Sequence, residues 1–174
     1  NHDAQIVHID ISEASIAVAR RRAEIRGLNN IEWRHDSLLS LPALSLDSFD
    51  YISCTGVLHH MEDPQAGLDA LVSVLKPEGA MCLMVYGRYG RTGIYQMQDM
   101  LRRINQDVDD MQQRVDNTRW ALQHLPDSNW LVRGFRDAVL GDLLSSDANT
   151  YDTLLHSCDR AYSVDELYQF VETS

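Results

Sequence analysis

Apolar and polar positions change period along the chain, and each change marks an element. Ala4 to Ile9 is a short, mainly apolar run ending in Asp10, the pattern of a buried parallel strand. Ser12 then offers an N-cap, Glu13 complements the helix dipole, and Ile16, Ala19 and Ala23 recur at helical spacing until Gly27, followed by Leu28, supplies a left-handed C-cap. Further strands are predicted at Ile31 to Arg34, leading into His35-Asp36, and at Phe49 to Cys54, leading into Thr55-Gly56. A helix over Pro64 to Leu75 ends at the turn Lys76-Pro77-Glu78-Gly79, and a fourth strand runs from Ala80 to Tyr86.

Strands alternating with helices through short connections predict an α/β fold, a mostly parallel sheet with helices on both faces. Ligands of such sheets bind beyond the carboxyl ends of the strands, where Asp10, Asp36, Thr55 and Tyr86-Gly87 all fall. After Gly93 the texture becomes helical: Ile94, Met97, Leu101, Ile104, Val108, Met111, Val115, Thr118, Leu122 and Leu125 follow steps of three and four. Such a stripe serves either a dimer seam or a pair of amphipathic helices packed as a cap. Leu131 to Leu144 and Val164 to Val171 read as further helices.

The 174 residues carry a net charge of -11, and Lys76 is the only lysine, which argues against nucleic acid as a partner. Cys54, Cys82 and Cys158 lie far apart without a CxxC pair, so neither a disulfide framework nor a zinc site is expected. No apolar run approaches the ~20 residues of a membrane span. A cytoplasmic, soluble protein is the expectation.

The stretch Phe49-Asp50-Tyr51-Ile52-Ser53-Cys54-Thr55-Gly56-Val57-Leu58-His59-His60-Met61-Glu62-Asp63-Pro64, followed by Leu75-Lys76-Pro77-Glu78-Gly79, resembles the class I, Rossmann-like S-adenosylmethionine-dependent methyltransferases whose fourth strand runs into a Val-Leu-His-His turn. The resemblance covers Ala4 to Gly87, about half the chain. It implies that S-adenosylmethionine is the cofactor, that Asp10 binds its ribose hydroxyls, that Ile11 packs on the adenine, and that Asp36 with Ser37 faces the adenine amino group. Thr55 and Gly56 then pass beneath the methionine portion. A carboxylate suits the ribose because it can accept from two vicinal hydroxyls in charge-assisted bonds.

The family's first strand and glycine-rich loop have no counterpart, and the sequence opens on Asn1, so it is expected to be N-terminally truncated. That strand would lie between the one ending at Asp10 and the one ending at Cys54. Two regions follow: 1–90 as a partial cofactor-binding domain, and 91–174 as a helical cap or insertion. The implied activity is methyl transfer to a small-molecule oxygen, nitrogen or carbon acceptor, with a homodimer through the 94–125 helices as an additional expectation.

His59 and His60 are the candidate general bases, since an imidazole titrates near neutral pH. Buttressing the loop is their alternative role. Arg88 and Arg91 are candidates for gripping a carboxylate or phosphate on the acceptor. Metal ligation by His59, His60 and Asp63 is not expected, and His156, Cys158 and Asp159 read as structural. Two other functions compete: a non-catalytic binding or assembly module of the same fold, and a nicotinamide-dependent dehydrogenase, which also places an acid on a ribose. The short-chain dehydrogenases need Tyr-x-x-x-Lys, and Val72 stands four residues before Lys76.

Overall fold

Two parallel strand pairs carry the first half of the chain in a computed structural model that describes residues 4–44, 48–135, 141, 143 and 145–173. Strand β1 (Ile6–Asp10) pairs with β2 (Ile31–His35), bringing Asp10 opposite His35. The crossover between them is helix α1 (Glu13–Ile25), capped where the sequence predicts: the Ser12 hydroxyl accepts from the Ser15 N–H, and Gly27 sits at φ 65°. Ile16 and Ala23 on the inner face of α1 are buried.

Strand β3 (Phe49–Thr55) pairs with β4 (Leu75–Met84), connected through the short 3₁₀ turn Leu58–His60 and helix α2 (Pro64–Ser73). Asp63 caps α2 by accepting from the Ala66 N–H, and Pro64 occupies the first turn, where a missing N–H costs nothing. The predicted turn at Lys76–Gly79 is absorbed into β4 as an irregularity. Phe49 faces Leu75 and Tyr51 faces Ala80, so the residues between bulge out, and Lys76 reaches back to Asp50 at 2.7 Å. Among the described residues β1 and β3 belong to separate ladders. The segment Leu38–Ala43, which the sequence analysis leaves as a connection, forms a 3₁₀ helix, and its buried Leu41 joins Leu58, Leu68, Leu71 and Val74 in the core.

Residues 4–84 and 170–173 form one compact unit, and 85–169 form another. The boundary expected from sequence falls after residue 90. Tyr86, read from sequence as the end of the fourth strand, instead starts β5 (Tyr86–Gly87), which pairs in parallel with β6 (Ala161–Tyr162) inside the second unit.

The heptad stripe divides into two helices, α3 (Thr92–Ile104) and α4 (Met111–Gln123). Ile94, Met97, Leu101 and Leu122 turn into the unit's own core with Leu131, Leu143 and Leu154, and Val115 and Thr118 are buried as well. The stripe therefore serves intramolecular packing, and only Ile104 and Met111 of its members are largely exposed. Helix α5 (Trp130–Phe135) covers the start of the predicted 131–144 helix; residues 136–140, 142 and 144 lie outside those described. The final helix, Val164–Glu172, matches the sequence expectation and starts with a reciprocal cap, Ser163 accepting from the Glu166 N–H while Glu166 accepts from the Ser163 N–H.

Candidate functional site

The turns after β1 and β2 are joined to each other. The Asp36 N–H donates to the Asp10 carbonyl at 3.1 Å, and the His35 ring Nε2 lies 3.0 Å from the Ile11 carbonyl. Asp10 accepts from the Ser12 N–H through Oδ1 at 2.8 Å, while its Oδ2 has no hydrogen-bond partner among the described residues. Ile11, directly after it, is 75% exposed. Asp10, Ile11, Asp36 and Ser37 are thus assembled at one end of the β1–β2 ladder.

Asp36 is partly committed to its own turn. Its Oδ1 accepts from the Ser40 hydroxyl and the Ser37 N–H, both at 2.7 Å, and these bonds, the hydroxyl first, hold its carboxyl below the usual carboxylate range. Ser37 uses its hydroxyl to cap the following 3₁₀ helix through the Leu39 N–H.

At the end of the β3–β4 ladder, Thr55 lies opposite Met84, and the Gly56 N–H donates to the Met84 carbonyl at 3.1 Å. Gly56 takes φ 76°, a left-handed conformation that favours glycine and leaves the backbone open to close approach. The turn that follows separates the two histidines. His59 is fully buried in the core with Leu58, whereas His60, its ring 4.2 Å from that of His59, is only partly buried.

A family model described as a methyltransferase domain matches residues 1–139. The chain belongs to that family. It is 32% identical over 185 residues to an uncharacterized protein, syc1184_c, of Synechococcus sp., covering all of this chain and 42% of that protein. It is 34% identical over 85 residues to the ubiquinone biosynthesis O-methyltransferase of Xanthomonas axonopodis pv. citri, covering 49% of this chain and 35% of that one. The solved structure of PKMT2 from Rickettsia typhi in complex with AdoHcy aligns over 96% of this chain and 33% of its own, with a TM-score of 0.68 at 19% identity, a likeness of fold. The chain spans less than half the length of these relatives.

Beyond the two rims, the methyltransferase chain holds a polar cluster in its second unit that the sequence analysis does not foresee. Arg91 pairs with Asp159 at 3.1 Å, the two side chains 13% and 2% exposed, and its guanidinium lies 3.5 Å from the ring centroid of Tyr86. Asp159 also accepts from the Tyr95 hydroxyl at 3.0 Å and from the Gln98 amide at 2.9 Å, and Gln98 donates to the Thr153 carbonyl. The expectation that Asp159 is structural agrees with this geometry. Arg88 donates to Glu166 at 2.5 Å, and its N–H donates to the Tyr162 carbonyl. Arg88 and Arg91, read from sequence as acceptor-gripping residues, are both engaged by acids of their own unit. Arg88 remains about half exposed beside its acid, whereas Arg91 is largely buried.

Burial, and then the charge of Asp159, push the Tyr95 phenol up to about 12 from an ordinary 10.0. The folded unit therefore holds this proton more tightly than the unfolded chain does. Its contribution to stability is complete below pH ~10 and is lost as pH rises towards ~12. Thermal midpoints measured across that window are expected to fall less steeply in Tyr95→Phe than in the parent.

Among the described residues no helix is long and apolar enough to cross a membrane, and no three His, Cys, Asp or Glu side chains are grouped to hold a metal ion.

Proposed function

We propose that this methyltransferase domain binds S-adenosylmethionine along the rim of Asp10, Ile11, Asp36, Ser37, Thr55 and Gly56 and directs methyl transfer to a small-molecule oxygen, nitrogen or carbon acceptor. The observation that carries the reading is the β1 turn: a carboxylate with one oxygen free beside an exposed isoleucine suits vicinal hydroxyls next to an aromatic face. The free Oδ2 of Asp10 accepts from the ribose, Ile11 packs on the adenine, and Gly56 lets the backbone pass close to the methionine portion.

The cofactor supplies a methyl group already activated on a sulfonium, so the protein's residues have mainly to position the acceptor and exclude water. Where the acceptor must lose a proton, the partly buried His60 is the base, and the fully buried His59 supports the turn that carries it. An anionic acceptor would meet Arg88, the more exposed of the two arginines, through the guanidinium nitrogens that Glu166 leaves open.

The test is calorimetric titration of S-adenosylmethionine into the full protein. Binding is expected, followed by S-adenosylhomocysteine formation once an acceptor is supplied. No detectable binding would overturn the proposal and leave the assembly-module reading in its place. His60→Ala is expected to lower turnover while leaving cofactor affinity within about twofold, and unchanged turnover removes the base role.

A further inference from the structure

Four of the fifteen cationic residues, Arg20, Arg21, Arg22 and Arg26, fall on α1 or immediately after it, a concentration that stands out in a chain of net charge -11. Arg21 pairs with Glu24, and Arg20 lies 5.7 Å from the centroid of the Trp33 ring. Arg22 and Arg26 carry no ion pair among the described residues; Arg26 donates only to the Arg22 carbonyl. These two line an open groove of about 620 Å³ between α1 and β2, whose apolar residues include Val18, Leu28, Ile31 and Trp33. Val18 is 53% exposed there. The groove thus joins an uncovered apolar floor to two unneutralised guanidinium groups.

The same chain presents the complementary surface. On the helix Val164–Glu172, Val164, Tyr168 and Val171 are exposed at helical spacing, an apolar stripe that the described residues leave open. Asp165 and Glu172, seven residues apart, run along one side of that stripe, and neither carries an ion pair among the described residues. They are separated by ~10 Å along the helix axis, against ~6 Å for Arg22 and Arg26, a difference that long arginine side chains cover.

We propose that the α1–β2 groove docks the helix Val164–Glu172 of a second copy of this chain, with Val164, Tyr168 and Val171 on the apolar floor and Asp165 and Glu172 against Arg22 and Arg26. This is a helix-in-groove contact, its apolar part supplying affinity and its charges fixing orientation. It uses a different surface from the α3–α4 stripe, which is buried within its own unit.

Sedimentation velocity over a concentration series, at low and at physiological salt, reads the contact directly. The parent chain is expected to associate to a defined limiting mass, more weakly as salt rises. Arg22→Glu with Arg26→Glu is expected to weaken association by about tenfold or more, since it sets acid against acid, and Asp165→Arg with Glu172→Arg should do the same by setting base against base. An equimolar mixture of the two double variants restores an acidic groove facing a basic helix and is expected to recover a mixed complex. Circular dichroism of each variant checks that the exposed substitutions leave the fold intact. A parent that stays monomeric, mass that grows without limit and ignores the charge changes, or a mixture that fails to associate would each overturn the proposal.

Discussion

Replacing Asp159 with alanine is expected to destabilise the 85–169 unit by about 3–5 kcal/mol, the cost of breaking a buried ion pair from one side. The side chain is 2% exposed and accepts from three residues at once: the Arg91 guanidinium, the Tyr95 hydroxyl and the Gln98 amide. Removing it strands a guanidinium that is only 13% exposed, together with a hydroxyl deprived of its acceptor. The pairing also spans 68 residues of sequence, from the turn that follows β5 to the loop that precedes β6, so its loss loosens a long closed loop. Urea denaturation measures the effect. Asp159→Asn keeps the shape and the capacity to accept but removes the charge, so its cost should be large and still below that of alanine. The double variant Arg91→Ala, Asp159→Ala is expected to cost clearly less than the sum of the single changes, because each single change leaves the other partner buried and unpaired. A loss below about 1 kcal/mol for Asp159→Ala would mean that water reaches this pair and that the cluster does not hold the unit together.

Local punctuation made the first unit readable. Ser12, Gly27 and Pro64 each act within one turn of their own position, through a side-chain cap, a left-handed φ or a fixed ring, and all three mark the boundaries they predict; Asp63 adds a side-chain cap to the last of them. The β3–β4 ladder was harder. Lys76-Pro77-Glu78-Gly79 has the composition of a free turn, yet pairing of Leu75 with Phe49 and the Lys76 contact to Asp50 tie it into the strand. Those contacts lie 26 residues away along the chain, and no local rule anticipates them. The heptad stripe was legible as a stripe but silent about its occupant. The residues 105–110 between α3 and α4 break a continuous coiled coil, and the buried positions face a core that the sequence pattern alone could not choose over a dimer seam.

The candidate site divides in the same way. Strand ends are legible from hydrophobic runs, which place Asp10, Asp36, Thr55 and Gly56, and β1–β2 pairing brings the first two turns into contact. What sequence could not supply was occupancy. Arg88 and Arg91 looked like free cations after a strand, but Glu166 and Asp159, far along the chain, neutralise them. Likewise two adjacent histidines look equivalent as letters. A single 3₁₀ turn sends His59 into the core and leaves His60 towards the surface. Arg22 and Arg26 carry no local signature of a groove, because Trp33 comes beside them only through the packing of α1 against β2.

Changing Asp10 to asparagine is expected to weaken S-adenosylmethionine binding by roughly 10- to 100-fold, the loss of one to two charge-assisted hydrogen bonds. Asparagine is the informative substitution because its carbonyl oxygen can still accept from the Ser12 N–H, the bond that Asp10 Oδ1 makes at 2.8 Å. The turn that leads into α1 is then kept, and the thermal midpoint should be unchanged. Alanine would remove both roles at once and confuse a lost ligand contact with a loosened turn. Calorimetry on the full protein gives the affinity, and the same titration with NADH separates the two readings of an acid at this position. A dehydrogenase would bind the nicotinamide cofactor and lose it on the substitution, whereas the methyltransferase is expected to show S-adenosylmethionine binding alone. Unchanged S-adenosylmethionine affinity in Asp10→Asn would take the ribose contact away from Asp10, and its carboxylate would then be explained by the Ser12 turn alone.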